Sequence, residues 1–433
     1  MTDRKIFSSS EEILAELIRQ AEESDEGSLD FSENPSETED EILSNIDAED
    51  IFDCDDEGDD QSDMEDKEYE LGKDEETIWT NVPFRSKFAR TSSSNIITHL
   101  PGPRGEAREI VDEDKLFSLY ITDEMIENIV HFTNDEMERS RIKYTNTDLP
   151  FLRPTNVIET KALIGLLYMS GVLKNTGLNQ NDMFSELYGP PIFRSTMPKK
   201  RFQFLLQNLR FDDKRTRNLR KADKFAPFRK IWDVFIANCL KYFSPSEYLT
   251  VDETLLSFRG RCPFKMFIPS KPDKYGLKII SICDARTFYF ISGIPYVGRE
   301  QNKKKGDLSF PTQYVLRLTE SVAGSNRNVT CDNWFTSYEL AEELSKKKLT
   351  LVGTLRKNKR ETPPSMLLPA RPGTSKFMYQ DNKTLVSYNP KKNKKVLLLS
   401  SMHDQGIINT AAQKPEIVEF YNLTKGGVDV WTN

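Results

Sequence analysis

The sequence predicts an α/β protein in which a helical region precedes a mixed sheet, with an acidic segment ahead of both. Three observations predict this class. The first 76 residues hold 31 Asp and Glu against 5 Lys and Arg. Between residues 115 and 245, apolar side chains recur every three to four positions, which is the spacing of amphipathic helices. From residue 248 onward, short apolar runs typical of buried strands replace that spacing.

Residues 1–112 are predicted to be a disordered acidic leader and linker. The leader is poor in aromatic residues, so it cannot bury enough apolar area to offset the entropy cost of ordering. Three consecutive serines and a Pro-Gly-Pro sequence in residues 77–112 favour a linker. The 357 residues from 77 onward carry 55 basic and 37 acidic side chains. A basic body favours a polyanionic partner, most often nucleic acid.

Residues 113–245 are predicted to form a helical domain. Thr122 suits the N-cap of a first helix that reaches Phe132. Pro227 suits the first turn of the last helix, which ends before Pro245 because proline cannot continue it. Two further helices are expected at 157–172 and 198–211.

Residues 246–433 are predicted to form the mixed sheet, in two parts. The first part, 246–356, contains an antiparallel meander followed by a strand, a helix and a strand, an order that favours parallel pairing. A capping box at Thr336 and Glu339 is expected to start that helix. Residues 357–395, rich in Lys and Pro, are expected to be an insertion, and 396–433 the last part. The expected strands are 248–251, 277–283, 287–297, 328–331, 349–355 and 396–400.

Asp252, Asp332 and Asp429 are the candidate metal ligands. Asp252 and Asp332 each close an apolar run, and Asp429 follows a Lys-Gly-Gly-Val sequence. Carboxylates are preferred ligands of hard divalent cations, and three of them brought together by folding suit two-metal phosphoryl transfer on nucleic acid. An aspartate at a strand end also commonly serves a turn or a helix cap, which is our interpretation of Asp284 and Asp404.

The motifs around these aspartates closely resemble those of the piggyBac transposase family, over residues 115–433. The matching motifs are LRFDD ending at Asp213, YLTVDE at Glu253, FRGR at Arg261, IPSKP at Pro272, KYGLK at Lys278, TCDNWFTS at Ser337 and NLTKGGVD at Asp429.

The resemblance implies an RNase H-like catalytic fold, dependence on Mg²⁺ or Mn²⁺, and cut-and-paste DNA transposition at TTAA targets through hairpin ends. It places the family's catalytic, metal-binding triad on Asp252, Asp332 and Asp429. We therefore expect the helical domain to serve dimerisation and DNA binding. The expected partners are double-stranded DNA at transposon ends and a second copy of the chain.

Two departures from the family pattern concern the third aspartate. The family usually has another Asp three residues later, where this chain has Thr432, and it continues through a further helical segment beyond the position of Asn433. We therefore expect Asp429 to be loosely held. Two main hypotheses stay open: a transposase, and a domesticated or decayed relative that binds DNA or chromatin without catalysis. An unrelated metal-dependent nuclease would require the motif matches to be accidental.

Two groups of basic residues are candidate phosphate contacts. In both cases the alternative is a charged face that meets only solvent. The first group follows Asp252: Arg259, Arg261, Lys271, Lys274 and Lys278. The second lies in the first turn of a predicted helix: Lys199, Lys200 and Arg201.

Composition excludes several other classes. Five cysteines without CxxC spacing and only three histidines argue against a zinc module. The sequence has no apolar run of about 18 residues, so we expect no membrane span. We expect the protein in the nucleus, with the cytoplasm as the alternative.

Overall fold

The computed structural model describes residues 52–53, 69–83, 95–97, 99–174, 178–269, 274–298 and 308–432. Most of the predicted acidic leader, the three serines of the predicted linker and Lys271 lie outside these residues. Among the described residues, no helix combines the length and apolar character needed to cross a membrane.

Helices occupy much of the range where the sequence predicts a helical domain, and the first of them begins at Glu113. The Thr122 hydroxyl accepts a hydrogen bond from the Met125 N–H at 3.3 Å, which confirms it as an N-cap. Pro227 lies in the first turn of its helix, as expected. The helices of this part are α1 (Glu113–Tyr120), α2 (Asp123–Arg141), α3 (Val157–Val172), α4 (Gln180–Met183), α5 (Pro191–Thr196), α6 (Lys199–Asn208) and α7 (Ala226–Tyr242).

Twelve of the described strands form one mixed sheet, which confirms the predicted α/β class. Its order is β2-β3-β12-β13-β14-β11-β10-β6-β8-β7, with β1 paired to β14 and β9 to β8. The strands are β1 (Phe52–Asp53), β2 (Tyr69–Leu71), β3 (Ile78–Thr80), β4 (Gly102–Pro103), β5 (Phe243–Ser244), β6 (Tyr248–Ser257), β7 (Met266–Phe267), β8 (Tyr275–Asp284), β9 (Phe290–Pro295), β10 (Asn328–Cys331), β11 (Thr350–Thr354), β12 (Ser375–Gln380), β13 (Lys383–Lys391), β14 (Lys394–Ser400), β15 (Ile408–Asn409) and β16 (Lys414–Pro415). The accompanying helices are α8 (Phe310–Leu318), α9 (Tyr338–Lys346), α10 (Glu416–Thr424) and α11 (Gly427–Thr432).

The pairing of the central strands sets the position of the candidate site. Strand β10 runs parallel to both β6 and β11, and Cys331 lies opposite Val251. The residues that follow these two positions, Asp332 and Asp252, are therefore neighbours. Strand β6 continues to Ser257 and pairs antiparallel with β8, so Asp252 lies within a strand rather than at its predicted tip.

The prediction that residues 1–112 are a disordered leader and linker is wrong for residues 69–83. Strands β2 and β3 pair with each other, and Thr80 pairs with Tyr379 at one side of the sheet. The Trp79 side chain is fully buried, and its Nε1 donates to the Glu361 carbonyl at 2.8 Å. A buried indole contributes enough apolar area to order a segment whose average composition is polar.

Residues 357–395 do not interrupt the sheet as predicted. Strands β12 and β13 form an antiparallel pair, and β13 pairs with β14, so this segment extends the sheet. The predicted capping box is also displaced by one residue. The Ser337 hydroxyl caps α9, and the Thr336 hydroxyl donates instead to the Asp332 carbonyl at 2.7 Å.

Candidate metal centre

Two of the three candidate aspartates meet at the centre of the sheet, together with a glutamate that the sequence interpretation missed. One carboxylate oxygen each from Asp252, Glu253 and Asp332 lie within 4.8 Å of one another. We call these three residues the inner cluster. Strands β6 and β10 bring them together because the two strands are parallel and in register.

The inner cluster concentrates negative charge in a place with little water. Burial raises the pKa of the Asp252 carboxyl well above its usual range, and the charges of Glu253, Asp332 and Asp429 raise it further. The Glu253 N–H donates to Asp252 Oδ1 at 2.7 Å, which opposes that rise. Carboxylates repel one another at such separations, and a divalent cation between them would remove the repulsion.

The geometry fits such a cation. Two ligand oxygens on one octahedral Mg²⁺ lie about 3.0 to 4.2 Å apart, given metal–oxygen distances of about 2.1 Å. The three inner-cluster oxygens lie within 4.8 Å of one another, so shifts of well under 1 Å would bring them into that range. Glu253 is only 3% exposed, and among the described residues neither of its carboxylate oxygens has a hydrogen-bond partner. A buried carboxylate with no partner is costly, so the donor set favours a hard cation over an apolar or neutral occupant.

Asp332 is held in place by the turn that follows β10. Its Oδ1 accepts hydrogen bonds from the N–H groups of Trp334 at 3.1 Å and Phe335 at 3.3 Å. Phe335 is 1% exposed in the main hydrophobic core, so the turn has little freedom to move. This contact orients the carboxylate toward Asp252. It also gives Phe335 a packing role instead of the base stacking that its position after Asp332 would permit.

Asp429 reaches the same pocket from α11. Thr250, Asp252, Asp332, Lys425 and Asp429 all line this small pocket. Asp429 is exposed and lies outside the inner cluster, at the rim. The structure therefore brings all three predicted aspartates to one pocket, two at its base and one at its edge.

The expectation that Asp429 is loosely held is not met. Its neighbour Val428 is fully buried against Cys239, Cys283 and Phe290. Gly427 lies so close to β6 that a Cβ at this position would be 2.4 Å from Thr250 Oγ1. These contacts are between residues far apart in the sequence, which is why local motifs did not indicate them.

Three threonines fix the preceding helix, α10, to the two strands β6 and β10. The Thr250 hydroxyl on β6 donates to the Thr424 carbonyl at 2.6 Å. The hydroxyls of Thr330 on β10 and Thr424 lie 2.8 Å apart in a hydrogen bond. All three side chains are buried, so the bonds are shielded from water. The end of α10, where α11 begins, is thus positioned relative to both strands.

The basic residues after Asp252 divide into exposed and buried ones. Arg259, Arg261 and Lys274 are exposed. Lys278 is 2% exposed, and its Nζ lies 4.5 Å from the ring centroid of Trp334 and 5.8 Å from that of Tyr296. An ammonium group packed on aromatic rings is stabilised where it lies, so the expected phosphate contact does not fit Lys278.

The three basic residues in the first turn of α6 also differ in exposure. Lys200 is exposed, and Lys199 is half-buried and donates to Asn181 Oδ1 at 2.6 Å. Arg201 is 3% exposed; its guanidinium binds both Glu159 oxygens and the carbonyls of Phe151, Arg153 and Pro154. The prediction that Arg201 contacts DNA is therefore wrong, because all of its donor groups are used in contacts with Glu159 and with the carbonyls of Phe151, Arg153 and Pro154.

Sequence reasoning missed two residues of the site, Glu253 in the inner cluster and Lys425 in the pocket lining. Both stand inside the quoted motifs, Glu253 next to Asp252 and Lys425 four residues before Asp429. The available signal for Glu253 was an acidic residue in a strand otherwise buried on both faces. Lys425 is half-buried and brings one positive charge to the lining of an otherwise acidic pocket.

Comparison with known proteins adds three findings. The family model described as Transposase IS4 matches residues 112–432. The chain is 25% identical over 337 residues to PiggyBac transposable element-derived protein 3 of Homo sapiens, covering 73% of this chain and 54% of that protein. It is 23% identical over 293 residues to PiggyBac transposable element-derived protein 2 of Homo sapiens, covering 66% of this chain and 46% of that protein. The chain spans about half the length of these curated relatives.

A solved structure is also similar. It is a cryo-EM structure of a piggyBac transposase synaptic complex with hairpin DNA. The chain is 44% identical to the transposase, with a TM-score of 0.71, and the match covers 77% of this chain and 70% of that one.

Proposed function

The chain belongs to the piggyBac transposase family, and we propose that it cleaves and transfers DNA strands in a metal-dependent reaction at transposon ends. The observation that most supports this proposal is the convergence of Asp252, Asp332 and Asp429 on one pocket. Mg²⁺ or Mn²⁺ fits the all-oxygen donor set. The finer parts of the proposal are TTAA targets, hairpin ends, a homodimer and action in the nucleus.

In the proposed mechanism, the protein positions carboxylates and supplies no side-chain nucleophile. Asp252 and Asp332 would hold the metals jointly from two rigid strands, and Asp429 would complete one metal's ligand set from the rim. A bound divalent cation supplies Lewis-acid stabilisation of the phosphate and lowers the pKa of the attacking hydroxyl. The nucleophile is water in the cleavage step and a DNA 3′-hydroxyl in the transfer step. The Thr250, Thr330 and Thr424 contacts keep the base of the pocket in register with α10.

Exposed basic residues around the far end of β6 are proposed to bind the DNA backbone. Arg259 and Arg261 follow β6 and Lys274 precedes β8, so DNA bound there would extend roughly 20 Å along β6 from Asp252. Lys200 is a second proposed contact, from the helical domain. Phosphate contacts of this kind position DNA without reading its sequence, and their strength falls with rising salt.

A cleavage assay tests the proposal. The purified chain is incubated with Mg²⁺ or Mn²⁺ and DNA carrying its element's terminal repeats, beside Asp252→Asn and Asp404→Asn. Asp404 is exposed and lines a different pocket, beside His403, so it is the matched control. We expect D252N to lower the cleavage rate at least about 100-fold, with salt-dependent DNA binding retained and D404N active. Binding without cleavage by the unsubstituted chain in either metal would instead support the DNA- or chromatin-binding hypothesis.

A further inference from the structure

Glu253 stands out among the buried acidic side chains because no described residue satisfies its carboxylate. It is 3% exposed, and both of its carboxylate oxygens are buried with no hydrogen-bond partner in the part of the chain that the structure describes. One of them is within 4.8 Å of ligand oxygens from Asp252 and Asp332. An ionised carboxylate in this condition is strongly destabilising, so a folded protein retains it only where something outside the chain compensates it.

Asp284 shows how the same protein satisfies a buried carboxylate for structural purposes. It is fully buried at the end of β8. Its oxygens accept hydrogen bonds from the N–H and hydroxyl of Ser246, at 2.5 and 2.8 Å, and from the N–H groups of Arg286 and Thr287, at 2.8 and 3.2 Å. Glu253 has none of these features. The difference argues against a purely structural role for Glu253.

We propose that Glu253 is a further carboxylate ligand of a divalent cation, so that the inner cluster is sufficient to bind the ion and Asp429 completes its ligand set from the rim. This inference rests on the proposed metal-dependent function. It adds a ligand to the aspartate triad and makes a distinct statement about order. The inner cluster is complete without DNA, so the cation binds before the substrate does.

The main alternative is that Glu253 balances the charge of buried Lys278. The register of β6 and β8 places Glu253 opposite Ile280 and Leu255 opposite Lys278, so Glu253 and Lys278 are on the same face, two positions apart. Among the described residues, however, no ion pair within 4.0 Å joins them, and the Lys278 ammonium is packed on Trp334. Lys278 is thus stabilised by its aromatic contacts, and it does not balance the charge of Glu253.

The test compares Glu253→Gln and Glu253→Asp with Asp284→Asn in the full chain without DNA. Mn²⁺ binding is measured by calorimetric titration, and Tm is measured with and without Mn²⁺. We expect E253Q to weaken Mn²⁺ binding at least tenfold, because a neutral amide is a poor ligand for a hard cation. Without Mn²⁺, E253Q should raise Tm by about 2 °C or more, because it removes an unsatisfied buried charge.

The other two variants distinguish a ligand role of Glu253 from a purely structural one. E253D retains the charge but shortens the side chain by one methylene, so it should fold like the unsubstituted chain and bind Mn²⁺ more weakly. D284N should lower Tm and leave Mn²⁺ affinity within about twofold, since its amide nitrogen cannot accept the hydrogen bond that Asp284 Oδ2 accepts from the Ser246 N–H, outside the pocket. Unchanged Mn²⁺ affinity in both Glu253 variants would overturn the inference, as would a lowered Tm of E253Q with an unchanged Mn²⁺ affinity.

Failure of this inference and failure of the proposed function give different results. If the unsubstituted chain cleaves DNA and E253Q binds Mn²⁺ normally, the function holds and Glu253 is not a ligand. If Mn²⁺ binding depends on Glu253 and the chain never cleaves, Glu253 is a ligand in a protein without the proposed activity.

Discussion

Substituting Gly427 by alanine should separate Asp429 from the rest of the metal centre. An added Cβ at this position would lie 2.4 Å from Thr250 Oγ1, 3.0 Å from Thr250 Cβ and 3.4 Å from Ala285 Cα. Van der Waals contact begins near 3.4 Å, so the overlap with Thr250 Oγ1 is about 1 Å. Thr250 is β-branched on a central strand and its hydroxyl is bonded to the Thr424 carbonyl, so it has little room to yield.

Relief of this overlap requires α11 to move away from β6 by about 1 Å. A displacement of that size at a reacting centre costs roughly 100-fold in rate. Overpacking costs about 1–3 kcal/mol of stability, partly offset by the better helix propensity of alanine, about 1 kcal/mol. We therefore expect G427A to lower DNA cleavage about 100-fold and the stability by about 0–2 kcal/mol. Mn²⁺ binding by the inner cluster should change little.

Gly426→Ala is the matched control, because a Cβ there meets no atom within 4 Å. It should cleave DNA at the original rate. The double variant Thr250→Ala with Gly427→Ala removes the closest clash and should recover part of the lost activity. The reasoning would be refuted by a G427A protein that cleaves DNA as fast as G426A.

Two further predictions concern other parts of the protein. Arg201→Met should destabilise the chain by about 3–5 kcal/mol, measured by denaturant unfolding, because it removes a buried guanidinium that pairs with half-buried Glu159 and binds three backbone carbonyls. The neighbouring Lys200→Ala should keep stability and lower the salt dependence of DNA binding by about one phosphate contact. His403 gives a pH prediction, since burial lowers its pKa to about 4 from a usual value near 6.5. The folded state then binds fewer protons than the unfolded state. The contribution of neutral His403 to the free energy of unfolding should therefore be fully present above pH 6.5, and the free energy of unfolding should fall by roughly 2–3 kcal/mol as pH drops to 4. His403→Asn should flatten the Tm profile over that window, and an unchanged slope would contradict the assignment.

The sequence was sufficient to predict the part of the site that depends on local pattern. The apolar runs before Asp252 and Asp332 identify two buried strands, and the helix between Asp332 and β11 favours parallel pairing. Parallel strands in register bring the residues after them to the same place, so the proximity of these two aspartates follows from periodicity. The motif resemblance then predicted that this pair of aspartates binds metal ions.

The features that sequence did not predict depend on contacts between distant positions. Trp79 orders an acidic stretch by entering a core built mostly from residues after 249. Arg201 has the appearance of a DNA contact until Glu159, 42 positions away, binds it. The local sequence around Val428 does not indicate that its side chain is buried, and residues of α7 and β8 enclose it. In each case the local sequence is compatible with two environments, and tertiary packing decides between them.

The carboxylates reach the pocket by two different routes, and this has a functional consequence. Asp252, Glu253 and Asp332 come from adjacent strands whose relative position is fixed by the sheet. Asp429 comes from a helix of six residues, which is too short to be stable alone and whose place is set by Gly427 and Val428. Changes that loosen α11 should therefore remove cleavage while cation binding persists. Changes in β6 or β10 should remove both, because the cation is then lost before Asp429 can act on it.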